Sequence, residues 1–410
     1  MRGYPGAPNV GAANRLTTGR FEMRKKLLIA LAAASALLTA PNSWADTPGV
    51  TDDTITLGEV VPLTGPPSLI GIAEMLGSVI AVEEVNAAGG INGRKIAVIR
   101  EDDGYVPSRS VQAAIKLINV DNVFAFTNSS GTSHTLAVME VLGEDNIPLV
   151  NAHAPATAQY TPPRHNVFVV GQSYTNGVRE MIRYMATQKK GAKWATVTQD
   201  DEYGTELRTG YDAVAEEMGL ETVVQLKYKR GQKDFSAEML RVKEAGATAM
   251  LNGGIISEVV AMAKEAHKLG LDIYAGTLWT GRLPIVQDLV GEAGQGLITV
   301  DYVATLDEPA GQAFVEKAKK YLSAEQIEKL NRYSVSSYVG MQLTFEAIRN
   351  CGDDLTRECF IAKMEEIKDF DTGGLMGPVS FGKGVRFTNQ QVRMIMSDVA
   401  NKKFVPLTDF

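Results

Sequence analysis

The chain has 410 residues, 45% hydrophobic and 22% charged, with a formal net charge of −7. That composition feeds a core large enough for two domains and excludes a disordered chain. Beyond its first residues there is no basic tract, which excludes a nucleic-acid groove.

At the amino terminus, Arg24-Lys25-Lys26, the apolar run Leu27–Leu38 and the small-residue stretch Ser43-Trp44-Ala45 read as a cleaved secretory signal peptide over about 23–45. The apolar run falls short of the ~18 residues a membrane span needs. Residues 1–22 then read as an over-extended start or a tag. Cleavage after Ala45 would remove six basic residues and one acidic one, moving the net charge from −7 to −12. The only cysteines, Cys351 and Cys359, lie far from that cut, so no lipid is expected there and the mature chain should be free outside the cytoplasm. In that oxidising compartment the two thiols can pair, contributing ~2–3 kcal/mol if the geometry is relaxed; two separate buried thiols are the alternative.

From residue 55 on, short apolar runs alternate with longer amphipathic ones. Strands are expected at Ile55–Val61, Ile96–Arg100, Val123–Thr127 and Pro148–Asn151, with helices at Ile70–Ala87, Ser108–Val120 and Ser133–Leu142 between them. A second series opens at Val167–Val170. It continues through strands Trp194–Gln199, Thr222–Tyr228 and Ala249–Asn252, alternating with helices Asn176–Thr187, Gly204–Met218, Ser236–Ala245 and Ser257–Leu269. The last third predicts helices at Pro309–Leu322, Ser334–Arg349 and Thr356–Lys368, and short strands at Pro378–Gly382, Gln391–Ser397 and Phe404–Pro406. Such βαβ alternation implies an α/β fold with two doubly wound parallel sheets. No Pro/Ser-rich linker separates the two series, so the chain is expected to cross between them more than once.

The segment VNAAGGINGRKIAV (85–98) concentrates Gly89, Gly90 and Gly93. A phosphate-binding loop runs strand, glycines, helix; here the order is helix, glycines, strand. The glycines therefore read as a helix cap, and Asn92-Gly93 as the turn into the next strand.

Little else suggests chemistry. His134, His153, His165 and His267 form no HExxH pair, and two cysteines cannot build a thiolate metal site. There is no GxSxG elbow and no GxxxxGK[ST] loop. Asp102-Asp103 and Asp200-Asp201-Glu202 read as solvated turns or caps before they read as metal ligands. No enzyme activity, metal or cofactor is expected. The informative stretch is FAFTNSSGTSHT (124–135), which runs from a strand directly into a helix. Ser129, Ser130 and Thr132 would stand at that helix's amino terminus, where unpaired N–H groups favour an anion such as a carboxylate. An ordinary Ser/Thr cap is the plain alternative, but strand carboxyl ends are where open α/β sheets bind ligands.

With these segments in view, residues 53–410 resemble the periplasmic substrate-binding proteins for branched-chain amino acids, the Leu/Ile/Val-binding type I fold. The resemblance rests on PLTGPPSLIG (62–71), VNAAGGINGRKI (85–96), DDGYVPSRSVQAAIKLI (102–118), DDEYGTE (200–206), DFSAEMLRVKEAGATAMLNGG (234–254) and GLMGPVSF (374–381), in that order. It implies two lobes joined by three crossovers that close on a ligand, lobe 1 holding about 50–166 and 297–374, lobe 2 about 167–296 and 375–410. It also implies a periplasmic receptor that delivers a small molecule to an ABC permease driven by a cytoplasmic ATPase; a monomer is the default expectation. By position, Ser129 and Ser130 match carboxylate-binding serines, and His153 and Ala154 lie near backbone donors of the next strand end. Tyr203 and Tyr333 match pocket aromatics. Departures are informative too. Ile70 and Ile255 stand near family tyrosines, and Leu278 stands where an acid would hold the ligand ammonium, with Trp279 beside it as an apolar wall. A buried ammonium without such a partner costs several kcal/mol. The expected ligand is thus a branched-chain amino acid or a related carboxylate, with a non-amino organic acid (aromatic or branched) as competitor. A ligand sensor of the same fold is the other alternative.

Overall fold

The structure, a computed structural model, describes residues 1, 3, 5, 6, 47–65, 67–144 and 146–409; the expected signal peptide lies outside the described residues. Thr47–Phe410 form one compact unit. No helix among the described residues is long and apolar enough to cross a membrane.

The first sheet grows from the amino-terminal βαβ series. Strands β1 (Thr54–Val61), β2 (Lys95–Asp102), β3 (Ala125–Ser129), β4 (Leu149–Val150) and β5 (Val167–Phe168) alternate with helices α1 (Ser68–Ala87), α2 (Pro107–Asn119) and α3 (Thr132–Glu144). Their order is β2-β1-β3-β4-β5, and all pairs are parallel. Residues 55 and 57–61 of β1 are buried, as expected of a central strand covered on both faces. The glycine turn ends α1 as its order predicts. Gly89 and Gly90 sit at φ 109° and 91°, and a Cβ on Gly90 would stand 2.1 Å from the Arg94 carbonyl oxygen. Only glycine fits there.

The second sheet has the order β12-β11-β10-β9-β8-β6-β7. Its parallel strands are β6 (Lys193–Gln199), β7 (Glu221–Tyr228), β8 (Ala249–Gly253), β9 (Tyr274–Thr277) and β10 (Ile298–Asp301). The edge strands β11 (Arg393–Asp398) and β12 (Lys403–Pro406) are antiparallel. Helices α4 (Tyr174–Gln188), α5 (Glu202–Met218), α6 (Ser236–Glu244), α7 (Ser257–Lys268) and α8 (Pro284–Val290) belong to this series. Ser173 caps α4 by accepting from the Asn176 N–H, and Asp201 caps α5 by accepting from Gly204.

The chain then returns through α9 (Pro309–Ala318), α10 (Ala324–Ile327), α11 (Arg332–Cys351) and α12 (Arg357–Glu366). Helix α11 lies along α1. Gly77 makes the close approach possible, since a Cβ there would stand 2.1 Å from the Ser334 carbonyl oxygen. Cys351 and Cys359 are joined as a disulfide with Cα atoms 6.0 Å apart, tying the end of α11 to α12.

One expectation needs adjustment. Residues 378–382 form isolated bridges, Val379 to Phe370 and Gly382 to Val385, instead of a strand. Strands β9 and β10 and helix α8 add to the elements expected from the sequence; each strand is only 4 residues long. Residues 167–168 pair with β4, and 298–301 pair with β9 and β11. Phe381 meets Phe168 edge-on, and Phe387 bridges Val169, which keeps that stretch beside the first sheet.

Candidate functional site

The loops at the carboxyl ends of the two sheets face each other across a narrow cleft. On the first-sheet side it is lined by Ser130, Gly131 and Thr132 at the start of α3, with Pro62, Ile70, Tyr105, His153 and Tyr333. Tyr174, Tyr203, Ile255 and Thr280 line it from the second-sheet side. The first-sheet wall is built by short strand-to-helix connections. β3 ends at Ser129, Gly131 turns at φ 87°, and α3 begins at Thr132. A Cβ on Gly131 would stand 2.3 Å from the His134 ring, so glycine is needed for the helix to start so soon. The amino end of α3 thereby presents orphan N–H groups toward the cleft, beside two hydroxyls.

Two buried groups behind Ser130 set the polarity of this wall. The Ser130 hydroxyl donates to the Glu74 carboxyl of α1. Burial pushes the Glu74 carboxyl well above its ordinary value, against the Ser130 bond and with help from the charges of Glu59 and Asp103. An uncharged Glu74 can itself donate to Ser130 Oγ, which leaves the serine proton free for an anion in the cleft.

His153 is fixed in a similar way. Its Nε2 lies 2.9 Å from Asn128 Oδ1, while Asn128 Nδ2 donates to Glu59 Oε1 at 2.8 Å. Glu59 is in turn paired with Arg100 at 2.6 Å. With the asparagine oxygen as acceptor, Nε2 must carry the proton and Nδ1 is left as an acceptor. Nδ1 has no partner among the described residues. Burial, aided by the Arg332 charge, pushes the His153 pKa down to about 3, so the ring is neutral.

The opposite wall is aromatic, with Tyr174 and Tyr203 edge-to-face at 5.0 Å; on the first-sheet side His153 and Tyr333 meet in the same way at 5.8 Å. Burial raises the pKa of all four lining tyrosines, Tyr105 included, so each is a neutral phenol. Among the described residues, no carboxylate lines this part of the cleft. The arrangement offers hydroxyls and helix amides at one end and ring faces and apolar side chains around the body.

The two walls touch beyond the cleft. Thr157 donates its N–H and its hydroxyl to Glu206, both at 2.9 Å. Ser133 donates to Glu202 at 2.6 Å and accepts from Arg230 at 2.8 Å. Below the cleft, Asp301 at the end of β10 accepts from Arg282 at 2.6 Å and from Arg332 at 2.8 and 3.0 Å. Burial opposes the Asp301 charge, but the two guanidinium groups outweigh it and hold its pKa below the ordinary value.

Of the residues expected at the site, the fold gathers Ser130, Thr132, His153, Tyr203, Ile255 and Tyr333 around the cleft. Four others stand behind it. Ser129 turns its hydroxyl to Thr135 at 3.1 Å, and Ala154 is fully buried. Leu278 is also fully buried, and Trp279 stacks on Tyr174 at 5.4 Å. The physical reason is the 3-10 turn over Trp279–Arg282, which carries Thr280 into the cleft in their place. His153 contributes its ring and not its amide, because that N–H donates to the Ser129 carbonyl at 2.8 Å. Sequence reading missed Glu74, Tyr105, Tyr174 and Thr280. Glu74 had a visible signal, a lone acid on the apolar face of α1, and Tyr174 opens a helix directly after a strand end.

Comparison with known proteins agrees with this geometry. A family profile described as periplasmic binding protein matches residues 54–402. The Leu/Ile/Val-binding protein homolog 7 of Brucella abortus is 28% identical over 340 residues, covering 79% of this chain and 82% of that protein. A leucine-, isoleucine-, valine-, threonine- and alanine-binding protein of Pseudomonas aeruginosa is 23% identical, covering 73% and 79%. Among solved structures, a branched-chain amino acid ABC transporter protein of Thermus thermophilus with bound valine superposes with a TM-score of 0.79 at 21% identity, covering 88% of this chain and 97% of that one. A fatty acid ABC transporter substrate-binding protein of Thermomonospora curvata superposes at 0.78 with 25% identity, covering 90% and 94%. These likenesses establish the type I binding-protein fold and a binding function in place of an enzymatic one. With its two wound sheets, its interposed cleft and a match over most of its length, this chain belongs to the periplasmic binding protein family.

Proposed function

We propose that this chain is the solute receptor of an ABC importer, which closes two lobes over a small carboxylate-bearing molecule and presents it to an inner-membrane permease. The observation that carries the reading is the start of α3. Ser130, Thr132 and the first-turn amides face a wall of neutral tyrosines, so one end of the cleft suits an anion and the rest suits an apolar body. The lobes correspond to the two sheets with their helices, and the contacts from Thr157 to Glu206 and from Ser133 to Glu202 are those of the closed state. A ligand that touches both walls would shift the population toward that state. Secretion to the periplasm through the segment at about 23–45 and a monomeric receptor are part of the same proposal.

Branched-chain amino acids are candidates because the Pseudomonas aeruginosa relative is named as binding leucine, isoleucine and valine and the Thermus thermophilus structure holds valine. A non-amino organic acid is favoured by one specific observation: among the described residues no carboxylate lines the cleft beside α3, and buried Leu278 stands where the ammonium partner was expected. A protonated amine enclosed there would find only neutral partners: His153 Nδ1, the hydroxyls of Thr132 and Thr280, and tyrosine faces. A thermal-shift screen of leucine, isoleucine, valine and their deaminated counterparts separates these readings. A ligand at 100 times its Kd adds about 2.7 kcal/mol of stability. Stabilisation by isovalerate-type acids without leucine supports the organic-acid reading; stabilisation by leucine alone rejects it. No stabilisation by any carboxylate rejects the reading as a whole.

A further inference from the structure

The cleft does not end at Tyr105 and Ile255. Together with Pro67, these residues also line a second compartment, which reaches Gln199, Arg230, Ile256 and Glu258. The shared residues make the two spaces neighbours across one partition. The walls of the second space are largely apolar: Ile255, Ile256, Pro67 and the Tyr105 ring.

Its polar groups are unequal. The Arg230 guanidinium is already committed, paired with Asp201 at 2.6 Å, donating to Ser133 at 2.8 Å and lying 5.6 Å over the Tyr105 ring. Gln199 donates its amide N–H to Asp201, and its Oε1 is buried with no partner among the described residues. Glu258 is only 6% exposed and pairs with no cation among the described residues. Its place in the first turn of α7 gives it the favourable end of that helix dipole, but this compensates only part of the cost of a buried charge. Two hydrogen-bond acceptors therefore face an apolar space whose one cation is engaged elsewhere.

We propose that this distal compartment receives the far end of an elongated monocarboxylate, and that this end carries a hydrogen-bond donor, a hydroxyl or an ammonium, which Glu258 and Gln199 accept. The inference rests on the reading that the carboxylate end lies at Ser130 and Thr132. The ligand class is then larger than a branched-chain amino acid and polar at both ends, with an apolar middle that passes between Tyr105 and Ile255.

The test is calorimetric titration of the full mature chain with unbranched acids from butanoate to octanoate, each with a methyl, hydroxyl or ammonium tip. At the fitting length, a donor tip should tighten binding at least about tenfold over methyl, a gain of about 1.4 kcal/mol. Glu258→Leu should abolish that preference and favour the methyl tip, since an apolar side chain then meets it. Glu258→Gln keeps an acceptor without the charge and preserves the helix start, so it should retain the hydroxyl preference and lose the ammonium one. Binding that is indifferent to the tip at every length overturns the inference alone. So does a Glu258→Gln protein that melts cooperatively and keeps every preference of the parent. Failure of every monocarboxylate to bind overturns the carboxylate reading and this inference with it.

Discussion

Glu74 and His153 show how burial fixes the proton inventory of a binding wall. Both are neutral in the folded chain, but their pH signatures are opposite. Glu74 has a raised folded pKa, so its contribution to stability is complete below its ordinary value of 4.5 and is lost as pH climbs through the raised one. His153 has a depressed pKa, so its contribution is present above its ordinary 6.5 and is lost as pH falls toward about 3. Carboxylate affinity should therefore decline as pH climbs through the raised pKa and Glu74 ionises beneath Ser130. Glu74→Gln, which stays neutral, should bind within about threefold of the parent and lose that decline, whereas Glu74→Ala should weaken binding roughly tenfold for one lost buried hydrogen bond. Titration calorimetry across pH checks all three. The Asp301 cluster makes a second prediction. Asp301→Asn leaves Arg282 and Arg332 buried without their counter-charge, and should cost about 3–5 kcal/mol in urea unfolding.

Elements record what the sequence could and could not reveal. The βαβ series was legible because long amphipathic helices and continuous apolar strands leave strong periodic signals. The glycine turn after α1 was legible because the order of helix, glycines and strand permits one reading. β9 and β10 were not, because a buried strand of 4 residues has no period to detect, and 298–301 (ITVD) pairs only through its neighbours. The stretch 378–382 has strand-like residues but no adjacent strand to pair with, so it settles for single bridges. At the cleft, the start of α3 was visible as a strand running into serines and threonines; Thr280 was not, since only the 3-10 turn at 279–282 decides which side chain points inward. Helix packing supplies the prediction at this scale. Gly77→Ala places a methyl against the Ser334 backbone and should destabilise by about 1–3 kcal/mol despite alanine's better helix propensity. Chemical denaturation measures it; a stabilised variant would show that α1 and α11 do not approach as described.

For the whole molecule, the proposed function depends on the contacts by which the two walls meet. Glu206 gathers hydrogen bonds from Thr157 on one side and Thr175 on the other, yet it does not line the cleft. Glu206→Ala should therefore favour the open form and weaken ligand binding by about tenfold, with a larger radius of gyration by small-angle scattering. The most direct test of the account is a crystal structure with the tightest carboxylate from the thermal-shift screen. The account predicts the carboxylate oxygens within hydrogen-bonding distance of Ser130 Oγ and the first-turn amides of α3, with tyrosine rings of the other wall against the ligand body. A ligand bound outside the cleft, or one whose carboxylate turns away from α3, would contradict it.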